Sequence, residues 1–196
     1  MQVGQLIVFT GPSGVGKGTL LRALRQRHPE LCVAVSATTR SPRPGEVEGR
    51  DYYFVTRSRF EEMRDRDELL EWAEFAGNCY GTPRTSVESL IQQGRLVVLE
   101  IELEGARQVR QCCSDAFSIF ILPPSSIELE ARLRSRASDS EAAISRRLLR
   151  AQEEIAAASE FDLQVVNDDL ETALVQLERV LFADRLIDRA AVPVSV

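Results

Sequence analysis

Short runs of consecutive apolar residues recur along the chain at wide intervals: Leu6-Ile7-Val8-Phe9, Leu96-Val97-Val98-Leu99, Ser118-Ile119-Phe120-Ile121-Leu122 and Leu163 to Val166. A strand that is apolar on both faces belongs inside a sheet covered on both sides, which is the habit of parallel sheets. The segments between these runs carry a helical period. Leu20, Leu21 and Leu24 share one face, and that helix is predicted to stop near His28-Pro29. A further helix is expected over residues 105–111. Ser125-x-x-Glu128 reads as a capping box opening the next helix, which Arg132, Arg134 and Arg136 close, and Ser138-x-x-Glu141 opens another. The last helix carries Leu170, Leu174, Leu177, Val180 and Leu181 on one stripe. A second short strand is predicted from Cys32 to Ala37. Strands alternating with helices predict an α/β fold: a parallel central sheet with helices on both faces.

The middle of the chain breaks this rhythm. Thr38 to Asp51 is polar and rich in Pro, Gly and Arg, and so cannot be core. It leads into Tyr52-Tyr53-Phe54-Val55, a charged helix from about Ser58, and a strand from Leu69 to Phe75. This stretch reads as a small lobe inserted into the α/β core.

Composition narrows the function classes. A formal charge of −6 over 196 residues argues against a binder of nucleic acid polymers, so any anion has to be met by a local cluster of positive groups. Cys32, Cys79, Cys112 and Cys113 show no CxxC spacing, and the single His28 leaves no Cys/His zinc set. Cys112 and Cys113 are expected as reduced thiols at a helix end. No segment reads as a secretory signal or a membrane span, which together with the free thiols predicts a reducing, cytoplasmic setting with no membrane partner.

Of the 24 basic residues, 23 are arginines, and the one lysine stands in Gly11-Pro12-Ser13-Gly14-Val15-Gly16-Lys17-Gly18-Thr19. A strand, a glycine-rich turn and a helix in that order present free backbone N–H groups and a partial positive charge to an anion. A compact ammonium on a slim stem can curl over such a turn, whereas a guanidinium fork is too wide. Gly11, Gly16 and Lys17 match the phosphate-loop pattern G-x-x-x-x-G-K-[ST], but Gly18 takes the hydroxyl position and Thr19 follows it. Adenylate kinases are similar here, commonly reading G-K-G-T. The remaining alternative is a glycine turn with no ligand. Further on, Arg40 and Arg43 stand three apart on a proline-stiffened loop, Ser36-x-Thr38-Thr39-Arg40-Ser41-Pro42-Arg43-Pro44-Gly45-Glu46. Two readings stand for it: a solvated basic loop, or a pair of forks suited to a phosphate dianion.

Asp51-Tyr52-Tyr53-Phe54, Glu71-Trp72-Ala73-Glu74-Phe75 and Gly77-Asn78-Cys79-Tyr80-Gly81-Thr82 all fall in the inserted lobe. With the arginine loop and the phosphate turn, they resemble the guanylate kinases, over nearly the whole chain from the first strand to Val166-Asn167-Asp168-Asp169. The resemblance implies a three-layer P-loop fold in a single domain. Its core would be residues 1–35, 86–131 and 149–190, with a GMP-binding lobe over 36–85, a short lid over 132–148 and a tail over 191–196. It implies ATP-dependent phosphorylation of GMP, and of dGMP, in purine nucleotide metabolism, with Mg²⁺ and with no obligate protein partner. Residue by residue, it implies that Arg40, Arg43, Tyr52 and Tyr80 hold the GMP phosphate, while Ser36, Glu71 and Thr82 read guanine. Guanine presents N1–H and a 2-amino group side by side, two donors that one ionised carboxylate accepts together; adenine does not.

The phosphate turn, Gly11 to Thr19, would hold the ATP phosphates, with Lys17, Arg136 and Arg147 stabilising the phosphoryl group in transfer and Thr19 nearest the metal. Glu100 and Glu102 stand where this family usually has two aspartates near the acceptor; the other reading is a solvated strand end. Asn167 is expected near adenine or, equally, as a turn residue. The family's lid often reads Gly-Arg-Gly, where this chain has Ser135-Arg136-Ala137, which predicts a stiffer hinge. Arg132, Arg134, Arg146 and Arg150 are expected to be surface or salt-bridge residues. Two rivals differ in class. Another small-molecule kinase, such as a ribose-bisphosphate kinase, has no need of Glu71, Tyr80 and Thr82 together. A non-catalytic binding module can dispense with Lys17, Arg136 and Arg147.

Overall fold

The apolar runs become the strands of a five-stranded sheet. In the computed structural model, residues 4–75, 77–135 and 141–182 are described. The sheet has the order β2-β7-β1-β8-β9, with β1 at Gln5–Thr10, β2 at Cys32–Val33, β7 at Leu96–Glu100, β8 at Phe117–Leu122 and β9 at Leu163–Val166. Its β2–β7 pair (Cys32 opposite Val97) and β8–β9 pair (Ile119 opposite Leu163) run parallel. Ile7, Val8, Phe9, Val97, Val98, Ile119, Phe120 and Ile121 are all fully buried, as strands covered on both faces must be.

A second sheet has four strands in the order β4-β3-β6-β5: β3 (Ala37–Thr38), β4 (Tyr53–Phe54), β5 (Leu69–Phe75) and β6 (Asn78–Pro83). The predicted strand from Cys32 to Ala37 is therefore corrected to two. The chain leaves β2 after Ala34 has donated to Val98 O, and Ala37 then pairs with Gly81 and Tyr53 in the other sheet. Two elements were not predicted. β6 forms a hairpin with β5 around Gly77, and helix α3 (Arg84–Gln92) follows it directly.

The chain divides into two units, one of residues 1–8 and 30–117, the other of residues 9–29 and 118–196. In the first, α2 (Arg57–Asp65) is opened by Thr56, whose side chain accepts from Arg59 N. This helix covers the four-stranded sheet with Phe60 and Met63, which pack with Ala37, Leu69 and Cys79. Helix α4 (Leu103–Cys112) lies against β5. In the second unit, α1 (Lys17–Arg27) packs on α7 (Leu170–Leu181), which buries Ala173, Leu174, Leu177 and Leu181. His28 ends α1, stacked on Phe182 at 3.7 Å and bonded to Glu178 at 3.0 Å. The capping residue Ser125 accepts from Glu128 N and opens α5 (Ser126–Arg134). Helix α5 packs on α6 (Glu141–Ala156) through Leu129, Leu133 and Ala151. Ser138, Arg136 and the tail fall outside the described residues.

Candidate active site

In the second unit the phosphate turn connects β1 to α1. Gly11, Gly14 and Gly16 take φ values of 146°, 89° and 98°. Gly16 shows why the residue type matters. It caps α1 in the left-handed region, and a Cβ there would come within 2.5 Å of Asn167 Nδ2. Lys17 is the first residue of the helix, and its ammonium folds back over the turn, donating to Gly11 O at 2.5 Å and Pro12 O at 3.4 Å. Ser13, Gly18 and Thr19 are exposed, while Pro12 and Val15 are buried. Thr19 lies in the first turn of α1, its backbone N–H given to Gly16 O.

Asn167, just after β9, is 7% exposed, and its amide donates to Val15 O at 2.7 Å. The side chain thus braces the phosphate turn from beneath. Arg132 belongs to the same brace, donating to Asn167 O at 3.1 Å and Val15 O at 3.5 Å. The predicted salt bridge is also present, to Glu128 at 3.1 Å, but it is only part of what Arg132 does. Arg147 is half-buried on α6.

In the first unit the arginine loop folds around a carboxylate. Arg40 grips Glu46 with one nitrogen at 2.8 and 3.0 Å from its two oxygens, and gives another N–H to Ser41 O. Arg43 donates its backbone N–H to the same carboxylate at 2.7 Å. These bonds, with Arg40 foremost, hold the Glu46 carboxyl below the usual carboxylate range. Arg40 also lies over the Tyr52 ring, 5.4 Å from its centroid, and the Tyr52 and Tyr80 rings meet edge to face at 6.2 Å. Burial raises the Tyr52 pKa, and the neighbouring Tyr80, Glu100 and Glu46 add to the rise while the Arg40 guanidinium opposes it. Arg40, Tyr52 and Tyr80 are therefore brought together, with Arg43 on the same loop.

Glu71 and Thr82 face each other across the β5–β6 hairpin. Glu71 is only 5% exposed, and the Thr82 hydroxyl donates to its Oε1 at 2.7 Å. Burial pushes this carboxyl up to about 7, although the Thr82 hydroxyl and backbone N–H both favour the ionised form. A buried carboxylate with one oxygen fixed by a hydroxyl is suited to a ligand that brings its own donors. Ser36 is half-buried and its carbonyl accepts from Tyr53 N. Glu100 ends β7, Glu102 is the N-cap residue of α4, and both are exposed. Cys79 is core, packed on Phe60 and Met63.

Residues 3–184 match the family model described as guanylate kinase. The chain belongs to the guanylate kinase family. It is 66% identical over 182 residues to the guanylate kinase of Thermosynechococcus vestitus, covering 93% of this chain and 95% of that one. The guanylate kinase of Trichormus variabilis is also 66% identical, over 91% of this chain and 90% of its own length. A crystal structure of guanylate kinase from Anaplasma phagocytophilum is 33% identical with a TM-score of 0.77, covering 96% of this chain and 89% of that one.

Within this family frame, sequence reasoning missed Glu46 and Arg132. Glu46 carried a local signal, an acid three residues after Arg43 beyond a Pro-Gly turn. Arg132 carried none beyond its i,i+4 glutamate, because its partners Val15 and Asn167 lie 117 and 35 residues away. Among the described residues no three His, Cys, Asp or Glu side chains are grouped to hold a metal ion, and no helix is long and apolar enough to cross a membrane.

Proposed function

We infer that this chain catalyses ATP + GMP → ADP + GDP, the reaction of its family, through the two residue clusters described above. A GMP phosphate oxygen attacks the γ-phosphorus of ATP, the bond to the β–γ bridging oxygen breaks, and ADP leaves with that electron pair. The attacking oxygen is already anionic, so no general base is required. The single histidine is engaged with Glu178 and Phe182 in any case. Catalysis then rests on position and on charge stabilisation.

The phosphate turn, Gly11 to Thr19, receives the ATP phosphates. Lys17 exchanges the Gly11 and Pro12 carbonyls for phosphoryl oxygens, and Asn167 keeps the turn in shape from below. Arg136 and Arg147, on the lid segment 132–148, meet the charge that spreads over the phosphoryl group in flight. In the lobe over residues 36–85, Arg40, Arg43, Tyr52 and Tyr80 take the GMP phosphate, with Glu100 and Glu102 on the acceptor side. Ser36, Glu71 and Thr82 read guanine, and dGMP is accepted because none of these contacts requires the 2′-hydroxyl. Mg²⁺ fits this arrangement as an ion held mainly by substrate phosphates. The exposed Thr19 hydroxyl, in the first turn of α1, would be its protein donor, and Mg²⁺ ordinarily keeps few protein ligands. Bound there, the ion neutralises charge on the donor phosphates. The setting is cytoplasmic, and no protein partner is needed for the reaction.

The observation that carries the reading is Glu71: a buried carboxylate, tied by one oxygen to Thr82, whose remaining acceptor capacity matches the paired donors of guanine. The test is ADP release from ATP and Mg²⁺ with GMP, dGMP, AMP, UMP and ribose bisphosphate offered in parallel. Turnover confined to GMP and dGMP is expected. Turnover with another acceptor would remove the guanine site, and folded protein without turnover would favour a binding module.

A further inference from the structure

Glycine at position 105 has no backbone reason to be there. It is the third residue of α4, its φ is not left-handed, and glycine inside a helix costs roughly 0.8–1 kcal/mol relative to alanine. Its surroundings supply another reason. A Cβ built on Gly105 would overlap Glu71 Oε2 and lie 3.2 Å from Glu71 Cδ. The first turn of α4 thus lies directly against Oε2, the carboxylate oxygen that the Thr82 hydroxyl does not hold.

The same face of α4 fixes the strand that carries Glu71. β5 is the edge strand of its sheet, so Trp72 N–H and C=O face outward. Gln108, one turn after Gly105, accepts from Trp72 N at 3.0 Å and donates to Trp72 O at 2.9 Å, completing the edge as a neighbouring strand would. One turn further, Cys112 Sγ reaches Leu70 O at 3.7 Å. Gly105, Gln108 and Cys112 therefore all meet β5 within the three residues Leu70 to Trp72.

We propose that Gly105 is a positioning residue for base selection, its missing side chain setting where the Glu71 carboxylate stands, with Gln108 holding β5 at that distance. The proposal rests on Glu71 reading guanine. Of the atoms a new methyl at 105 would meet, the nearest is the far end of a side chain, so relief comes from moving the carboxylate rather than the backbone. Restoring ordinary contact requires a displacement of about 1 Å, and a misplacement of that size costs up to about 100-fold.

The experiment compares wild type, Gly105→Ala, Glu71→Gln, the double variant and Gln108→Met, using GMP and IMP as acceptors. IMP keeps N1–H but lacks the 2-amino group, so the ratio of kcat/KM for GMP over IMP reads the second carboxylate contact. Gly105→Ala should lower this ratio at least about tenfold and raise KM for GMP. KM for ATP should not move, and the unfolding temperature read from Trp72 fluorescence should hold or rise. Gln108→Met should lower the same ratio and raise KM for GMP, each about threefold, which keeps the test open if Gly105→Ala fails to fold. In the Glu71→Gln background, Gly105→Ala should lower the ratio no further. An unchanged ratio in both Gly105→Ala and Gln108→Met, while Glu71→Gln lowers it, would overturn the proposal and leave the guanine reading intact. The same Gly105→Ala loss persisting without the Glu71 carboxylate would also overturn it. An unchanged ratio in Glu71→Gln alone would instead remove the guanine reading, and this inference with it.

Discussion

Replacing Glu71 with glutamine should stabilise the ligand-free lobe at alkaline pH while damaging its selectivity. The carboxyl is pushed up from 4.5 to about 7 by burial, so the folded protein holds this proton more tightly than the unfolded chain does. The stabilisation of the neutral form is complete below about pH 4.5 and is lost as the pH rises through 7. At about 1.4 kcal/mol for each tenfold change in proton affinity, the wild type loses about 3 kcal/mol across that window. Glutamine keeps the shape and can still accept from the Thr82 hydroxyl, but it does not titrate. Any fixed cost of its unpartnered amide is the same at about pH 4.5 and pH 8 and cancels in the comparison. The expected result is that the difference in unfolding free energy tilts by about 3 kcal/mol in favour of Glu71→Gln between pH 4.5 and pH 8. Urea titrations followed by fluorescence of Trp72, the only tryptophan and the next residue on β5, report on this part of the molecule. A difference that stays flat with pH would refute the claim that an enclosed, strongly desolvated carboxyl stands at position 71.

Other outcomes follow from the two clusters. Lys17→Ala should leave the circular dichroism spectrum unchanged and lower kcat by at least about 100-fold, since it removes a positioned cation from the transferring group; near-normal turnover would discard the phosphate-turn assignment. Arg40→Lys keeps the charge but loses the fork that bonds Glu46 through one nitrogen and Ser41 O through another, and KM for GMP should rise about tenfold with KM for ATP unchanged in steady-state kinetics. Asn167→Ala withdraws the buried bond to Val15 O, which should cost about 1–2 kcal/mol in denaturant titrations and raise KM for ATP but not for GMP.

The strands β1, β7, β8 and β9 were legible because burial on both faces leaves an uninterrupted apolar run. β6 was not. Its residues, Asn78 to Pro83, have the composition of a turn, and they are extended because the hairpin with β5 pairs them, a tertiary effect that local propensity does not carry. Helix α3 buries only Val87, too little for a periodic stripe. At the site, the residue types were legible through their resemblance to the family, whereas their mutual bracing was not. Asn167 and Val15 are 152 positions apart, and nothing local in either marks their bond. Gly105 carries no local signal beyond its place in the helix expected over 105–111, because its reason lies on β5.

The placement of Lys17 also has a chemical consequence. Its ε-amine is the only side-chain amine in 196 residues, and at rest it is bonded to the Gly11 carbonyl at 2.5 Å. A protonated, hydrogen-bonded amine has no lone pair to offer an acylating reagent. Acylation of side-chain amines therefore has a single address, and it requires that the ammonium first let go of the turn and shed its proton.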